Sequence, residues 1–425
     1  MINGERNILW PSVVRWYAKS SGTTNDKSKF LPVTPEILKG CHYKGGFDTV
    51  SIYLQNNPDS HFFASKGLIL GGSHSPSPLN RNAHCGDLSA VLLQNLNPLV
   101  NLIRVPNKKI ILMDEWESKI KAIVESTWKT DVNSLSGVPS WMLVLIKAVL
   151  QKTGSEYLTD VWPNMEVFFH GGISFEPYRD QYKALIPSDR MHYMETYNAS
   201  EGFFGLQDNP EEHSLLLMID YSVFYEFIPI NEVGEEHPTV LPLEAVEVGK
   251  NYAMVITTSG GLWRYQIGDT VRFTSLYPHK FVISGRTKNF INAFGEELMV
   301  DNADKAISRV CRQTGAKVKE YTAAPLFMLD KAKGRHQWMI EFEKMPPSLD
   351  DFASLLDKTL QQLNSDYEAK RYKEISLQPL EIRVAREGTF YEWLRRKGKL
   401  GGQHKIPRLS NDRTFIEELG KICDL

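Results

Sequence analysis

Between Trp10 and about residue 285, short apolar, β-branched or aromatic runs alternate with helical stretches. This alternation restricts the chain to folds in which helices cover a sheet. Leu68 to Leu70 runs into Gly71-Gly72-Ser73, and Met165 to Phe169 runs into Gly171-Gly172. Each has the pattern of a buried strand ending in a turn that faces a ligand. Asp114 to Lys129 carries Trp116, Ile120, Ile123, Val124 and Trp128 at helical spacing, and Ser140 to Gln151 is a second apolar helix behind Pro139. After Ser214 the pattern changes to successive strands, Leu215 to Tyr221, Phe224 to Ile230, Tyr252 to Thr257, Leu262 to Ile267 and Val271 to Ser275, the pattern of an antiparallel sheet.

A junction is expected near Gly285-Arg286-Thr287-Lys288. Beyond it, an amphipathic helix carries Ala303, Ala306, Ile307 and Val310 on one face and ends near Gly315. Strands follow near Glu320 to Leu329 and Gln337 to Glu343, then a helix from Ser348, then a strand near Glu381 to Ala385. Arg395 to Gly402, basic and glycine-rich, reads as a surface loop. The expected fold is therefore α/β, with a large N-terminal domain of mixed sheets over residues 1–285 and a small α+β C-terminal domain over 286–425. The 425 residues are also too many for one comfortable core.

Charge narrows the function classes. Lys+Arg 49 against Asp+Glu 51 leaves a net charge of −2, so no global field favours nucleic acid or an anionic membrane, and neither is expected as a partner. Cys41, Cys85, Cys311 and Cys423 form no C-x-x-C pair, which argues against a zinc site and a disulfide framework. The N-terminus lacks signal-peptide character and no apolar run approaches bilayer length, so a cytoplasmic location is expected.

Five segments can carry chemistry. Ser20-Ser21-Gly22-Thr23-Thr24-Asn25-Asp26-Lys27-Ser28-Lys29 packs small and hydroxylated residues ahead of lysines, the composition of a loop that wraps polyphosphate, although its spacing departs from the Walker pattern and a solvated turn has similar composition. Tyr197-Asn198-Ala199-Ser200-Glu201-Gly202 offers a ring to adenine, a hydroxyl to phosphate and a carboxylate to Mg²⁺; a surface turn is the alternative. Gly260 to Asp269 ends an apolar strand in a Gly-Asp pair whose carboxylate suits a ribose diol, while Gly-Asp is also a hairpin turn. Phe281 to Lys288 places Arg286 after a strand and a glycine, as a hinge beside a nucleotide would. Gly402 to Arg408 presents Lys405 on a glycine-preceded basic loop. Ser73-His74 and His84 with Asp87 lack a G-x-S-x-G elbow, and His170 reads as a satisfied strand-end histidine that could also line a pocket.

In this order the segments resemble the adenylate-forming superfamily, and within it the Gretchen Hagen auxin-responsive acyl-acid amido synthetases, including bacterial members. Ser20 to Lys29 looks like the family's phosphate loop, Tyr197 to Gly202 like its tyrosine-hydroxyl-glutamate motif, and Trp263 to Asp269 like its R-Y-R-x-G-D motif; Phe224 to Pro229 resembles a strand of this branch. The resemblance runs from about Trp10 to Arg408. It implies an adenylate-forming large domain and a mobile small one, and ATP and Mg²⁺ as cofactors. It also implies that a carboxylic acid is activated as an acyl-adenylate and passed to an amine, most simply an amino acid. The nucleotide site it implies comprises Ser20, Ser21, Gly22, Thr23, Thr24, Lys29, Gly171, Gly172, Tyr197, Asn198, Ser200, Asp269, Phe281 and Arg286. Glu201 would hold the metal, Arg286 to Lys288 would be the hinge, and Lys405 would reach the acyl-adenylate. Transfer to coenzyme A and a truncated, non-catalytic nucleotide-binding protein are the rival expectations. The second arises because only nineteen residues precede Ser20, where family members carry a substantial segment.

Overall fold

The computed structural model describes residues 5–11, 13–20, 29–72, 74–76, 83–287, 290–291, 293–294, 296, 298–327, 334–371, 377–400 and 406–423. Its centre is a twelve-stranded mixed sheet. On one side Arg104–Val105, Lys66–Ile69, Val132–Gly137, Val167–Gly171 and His192–Ala199 run parallel. On the other, Gly202–Leu206, Leu215–Leu217, His279–Arg286, Tyr265–Leu276, Asn251–Thr258, Val223–Pro229 and Leu241–Pro242 continue antiparallel. The change of direction occurs across the tight connection from Ala199 to Gly202. It therefore comes one strand earlier than the pattern beyond Ser214 predicts. The reason is that Gly202–Leu206, fully buried on both faces, shows no alternation that would mark it as antiparallel.

The predicted helices form where their periodicity placed them. Trp116–Thr127 is capped by the Glu115 carboxylate, which accepts from the Glu117 and Ser118 amides. Pro139–Thr153 has proline in its first turn and ends on left-handed Gly154. Together they bury Ile123, Met142 and Ile146 against Leu135 and the other inward residues of the parallel strands. A second core, with Phe204, Phe227, Ile256, Phe273 and Phe281, lies under the antiparallel half. A smaller sheet pairs Trp16–Ser20 with Lys29–Val33 antiparallel, in register Ser20↔Lys29, and with His84–Gly86 parallel.

Two predicted strands, Leu262 to Ile267 and Val271 to Ser275, are one strand, Tyr265–Leu276. Gly268, at φ +87, lets it pass through an irregular register instead of turning back. Asp269 consequently lies inside a strand and pairs across with Arg286, itself the last residue of His279–Arg286.

Beyond Arg286, Val300–Thr314 ends on left-handed Gly315, and Leu349–Leu363 starts from Ser348, whose hydroxyl accepts from the Asp351 amide. Both pack on the sheet formed by Lys317–Phe327, Gly334–Lys344 and Glu381–Ala385, around a core of its own that includes Ile307, Tyr321, Trp338, Phe352 and Leu360. Arg395 and Arg396 are not in a loop. They end the helix Thr389–Arg396, which buries Phe390, Trp393 and Leu394, and the charges fall on its outer face. Among the described residues no helix is long and apolar enough to cross a membrane.

Candidate active site

The ends of the parallel strands, the antiparallel pair carrying Asp269 and Arg286, and the small sheet beyond them enclose a cleft of about 1370 Å³. That is more room than one small molecule needs. The cleft lies at the carboxyl ends of the parallel strands, where open α/β sheets bind ligands, and beside the point where the sheet changes from parallel to antiparallel.

Gly171, Gly172, Tyr197, Asn198, Ser200, Glu201, Asp269, Arg286 and Lys29, nominated from segments scattered over more than 250 residues, all line it. Gly171 is opposite Thr196, and a Cβ on it would be 2.3 Å from the Thr196 carbonyl oxygen, so only glycine permits this strand pairing. The Tyr197 hydroxyl donates to Asp269 Oδ2, and Arg286 Nε donates to Asp269 Oδ1 at 2.7 Å. Both carboxylate oxygens are thereby oriented, and each keeps a lone pair for a further donor such as a diol. Tyr197 itself is buried, its ring edge-on to Phe204 at 5.1 Å. Its hydroxyl, more than its ring, is what it brings to the site. Asn198 Oδ1 is 2.8 Å from His42 Nδ1, which ties the end of the strand His192–Ala199 to the helical turn Leu38–Tyr43.

Glu201 lies in the same group. Burial, and next the negative charge of Asp269, push its carboxyl up to about 7, against the opposing pull of Arg286 and Lys29. A carboxylate so placed is complemented by a cation. Among the described residues no cluster of three or more His, Cys, Asp or Glu could hold a metal by itself. A single carboxylate beside a phosphate site suits an ion such as Mg²⁺, which takes most of its ligands from phosphate oxygens and water. Lys29 Nζ donates to the Tyr265 hydroxyl at 3.1 Å, which brings a positive charge to the mouth of the cleft.

Some expectations fall elsewhere. Phe281 is fully buried among Tyr197, Phe273 and the rest of the second core and does not line the cleft. It supports the site from behind, its ring 6.1 Å from that of Tyr197. Of the phosphate-loop residues, Ser20 is described only in its main chain, and Ser21, Gly22, Thr23 and Thr24 lie outside the described residues, as do Lys288 and Lys405. His170 lines the cleft with its ring stacked on Phe175 at 4.2 Å, and burial lowers its pKa to about 3, so it stays neutral.

One group of residues escaped sequence reasoning. Arg408 reads from sequence as part of a solvated basic loop, yet its side chain is only 12% exposed. It donates to the Tyr178 hydroxyl at 2.9 Å and to Glu320 Oε1 at 3.1 Å, and stacks on the Tyr321 ring at 4.4 Å. No periodic signal could have revealed this, since Tyr178 and Arg408 are 230 positions apart.

Comparison with known proteins agrees with this architecture. The model of the GH3 family N-terminal domain matches residues 1–191, that of the GH3 family central domain residues 216–286, and that of the GH3 family C-terminal domain residues 301–414. Over 432 aligned residues the chain is 28% identical to the indole-3-acetic acid-amido synthetase GH3.4 of Arabidopsis thaliana, covering 92% of this chain and 68% of that protein. It is 30% identical to the indole-3-acetic acid-amido synthetase GH3.3 of Arabidopsis thaliana, over 62% of this chain and 46% of the other. It is 27% identical to the 4-substituted benzoates-glutamate ligase GH3.12 of the same plant, over 73% and 59%. The chain thus spans between about half and two thirds of these relatives. Among solved structures, the GH3.15 acyl acid amido synthetase superimposes with a TM-score of 0.76 at 18% identity, covering 100% of this chain and 83% of that one. A 2-hydroxyisobutyryl-CoA ligase reaches 0.54 at 10% identity, over 97% and 76%. At such identities the likeness is one of fold.

Proposed function

The chain belongs to the GH3 family, and from that premise we propose that it is an ATP-dependent acyl-acid amido synthetase, which activates a carboxylic acid as its acyl-adenylate and transfers the acyl group to an amine, in the simplest case an amino acid. The observation that carries this reading is the meeting of Lys29, Ser200, Glu201, Asp269 and Arg286 in one cleft beside the parallel-to-antiparallel change of the sheet. The relatives' names, amido synthetases and an acid-glutamate ligase, point the same way.

In this reading Asp269, held by Tyr197 and Arg286, accepts the ribose hydroxyls. Ser200 and the residues 20–29 donate to phosphate oxygens, and Glu201 is the side chain that would hold Mg²⁺, whose role when bound is to offset phosphate charge. The acid's carboxylate oxygen attacks the α-phosphorus and pyrophosphate leaves. The amine then attacks the acyl carbonyl, a C–N bond forms, and AMP leaves. Residues 286–425 act as the small domain that turns between the steps, and Lys405 stabilises charge in the first.

Pyrophosphate release with MgATP across aryl, indole and aliphatic acids, followed by product analysis with amino acids and with coenzyme A, tests the proposal. Amide formation supports it, thioester formation replaces it with an acyl-CoA ligase, and nucleotide binding without release replaces it with a binding protein. Lys405→Ala is expected to slow pyrophosphate release at least a hundredfold while ATP affinity changes little, and equal release from both proteins would remove Lys405 from that role.

A further inference from the structure

A buried polar network joins the part of the chain beyond Arg286 to the large sheet. Tyr178, on the short turn Glu176–Tyr178 that follows Gly172, is 4% exposed. Its hydroxyl donates to Glu320 Oε1 at 2.8 Å and accepts from Arg408 Nη2 at 2.9 Å. Arg408 also lies 3.9 Å from Asp304, which accepts from the Tyr321 hydroxyl. At the rim of the same contact Glu176 is met by Arg312 Nη1 at 3.2 Å, Ser308 Oγ at 3.4 Å and Arg179 Nε at 3.0 Å. Glu320, Asp304, Ser308, Arg312 and Arg408 belong to the part beyond Arg286, and Glu176, Tyr178 and Arg179 to the part before it.

Two facts set this contact apart from ordinary packing. Apolar side chains also meet across the boundary, since Phe390 and Leu394 share a core with residues of the parallel-strand side, but apolar burial is non-directional. A guanidinium and two carboxylates out of water are different, because they are tolerated only while their partners are in place. The contact therefore specifies one orientation and resists intermediate ones. The network also lines the cleft, since Tyr178, Asp304, Glu320 and Arg408 all face it alongside the nucleotide candidates, so whatever fills the cleft bears on the groups that hold the two parts together.

We propose that Tyr178, Glu320, Arg408 and Asp304 form a latch that holds the small domain in one of two discrete orientations, and that its opening is coupled to occupancy of the cleft. The second orientation and the coupling to catalysis rest on the two-step reading above; the contact that holds the observed orientation does not. The phenol oxygen is its bridging atom and, among the described residues, the one group of the large part hydrogen-bonded to both Glu320 and Arg408.

Hydrogen exchange on the full apo chain, comparing the parent with Tyr178→Phe, tests this. Tyr367→Phe serves as control, because the Tyr367 hydroxyl bonds Asp357 wholly within the small domain. Tyr178→Phe is expected to raise exchange several-fold on both faces of the contact, residues 173–182 and 301–322, while Tyr367→Phe leaves 173–182 unchanged. Unchanged protection in Tyr178→Phe, or the same response from the control, overturns the latch. Adding MgATP is expected to alter protection of 173–182 in the parent and to alter it less in the variant; equal responses overturn the coupling. Because exchange is read without turnover, its outcome stands apart from that of the pyrophosphate assay. Where the two half-reactions are measurable, Tyr178→Phe is expected to move their rates in opposite directions, and an equal change in both would overturn the claim of two orientations.

Discussion

Glu201 carries a cost in the ligand-free protein. Its carboxyl has an ordinary value near 4.5 and is raised to about 7 by burial and by Asp269. Between those values the folded chain binds more protons than the unfolded one, so stability is lost as pH rises through the window. Glu201→Gln removes that dependence. The variant is expected to melt higher than the parent at pH 8 in chelator, by an amount on the order of 2 kcal/mol, with the difference vanishing towards pH 5. Thermal melts over pH 5–8 check this, and the same variant should lose pyrophosphate release. Asp269→Asn keeps the volume but turns one acceptor into a donor facing the Arg286 guanidinium or the Tyr197 hydroxyl. Calorimetry should show ATP affinity weakened by about tenfold or more, the loss of roughly one charge-assisted hydrogen bond, and unchanged affinity would refute the ribose assignment.

At the scale of elements, glycines govern how closely the strands approach. Gly171→Ala would drive a methyl group into the Thr196 carbonyl across a parallel pair and separate the strands that carry Gly172 and Tyr197. A cost of roughly 1–3 kcal/mol is expected in urea unfolding, with a larger loss in nucleotide binding than in stability, because the displaced strand bears the site. Four helices were legible in advance because their inward residues recur at helical spacing, with local signals at Pro139, Gly315 and Ser348, whereas Thr389–Arg396 was hidden by its basic end. The strands were less so. Gly202–Leu206 is apolar on both faces, and the Gly268-Asp269 pair looks like a turn although it lies mid-strand. In each case the backbone was decided by neighbouring strands, not by the residues alone.

At the scale of the whole molecule, the two parts meet over a cleft to which both contribute. Nearly all of the nucleotide candidates with described side chains reach it, because each belongs to a motif whose chemistry is contiguous: a tyrosine, serine and glutamate within five residues, or a glycine before an aspartate. Phe281 is the exception, since an aromatic at a strand position reads the same whether it faces a core or a ligand. Local spacing and side-chain chemistry were enough for most of the order of elements and for the residue types that can handle a phosphate, a ribose and a cation, because these depend on neighbours in the chain. Only the tertiary structure decided that Tyr197 and Arg286 share Asp269, that Lys29 meets Tyr265 from 236 positions away, and that Arg408 is buried against Tyr178. Those contacts depend on strand order and on how the two cores pack, and no local pattern encodes either.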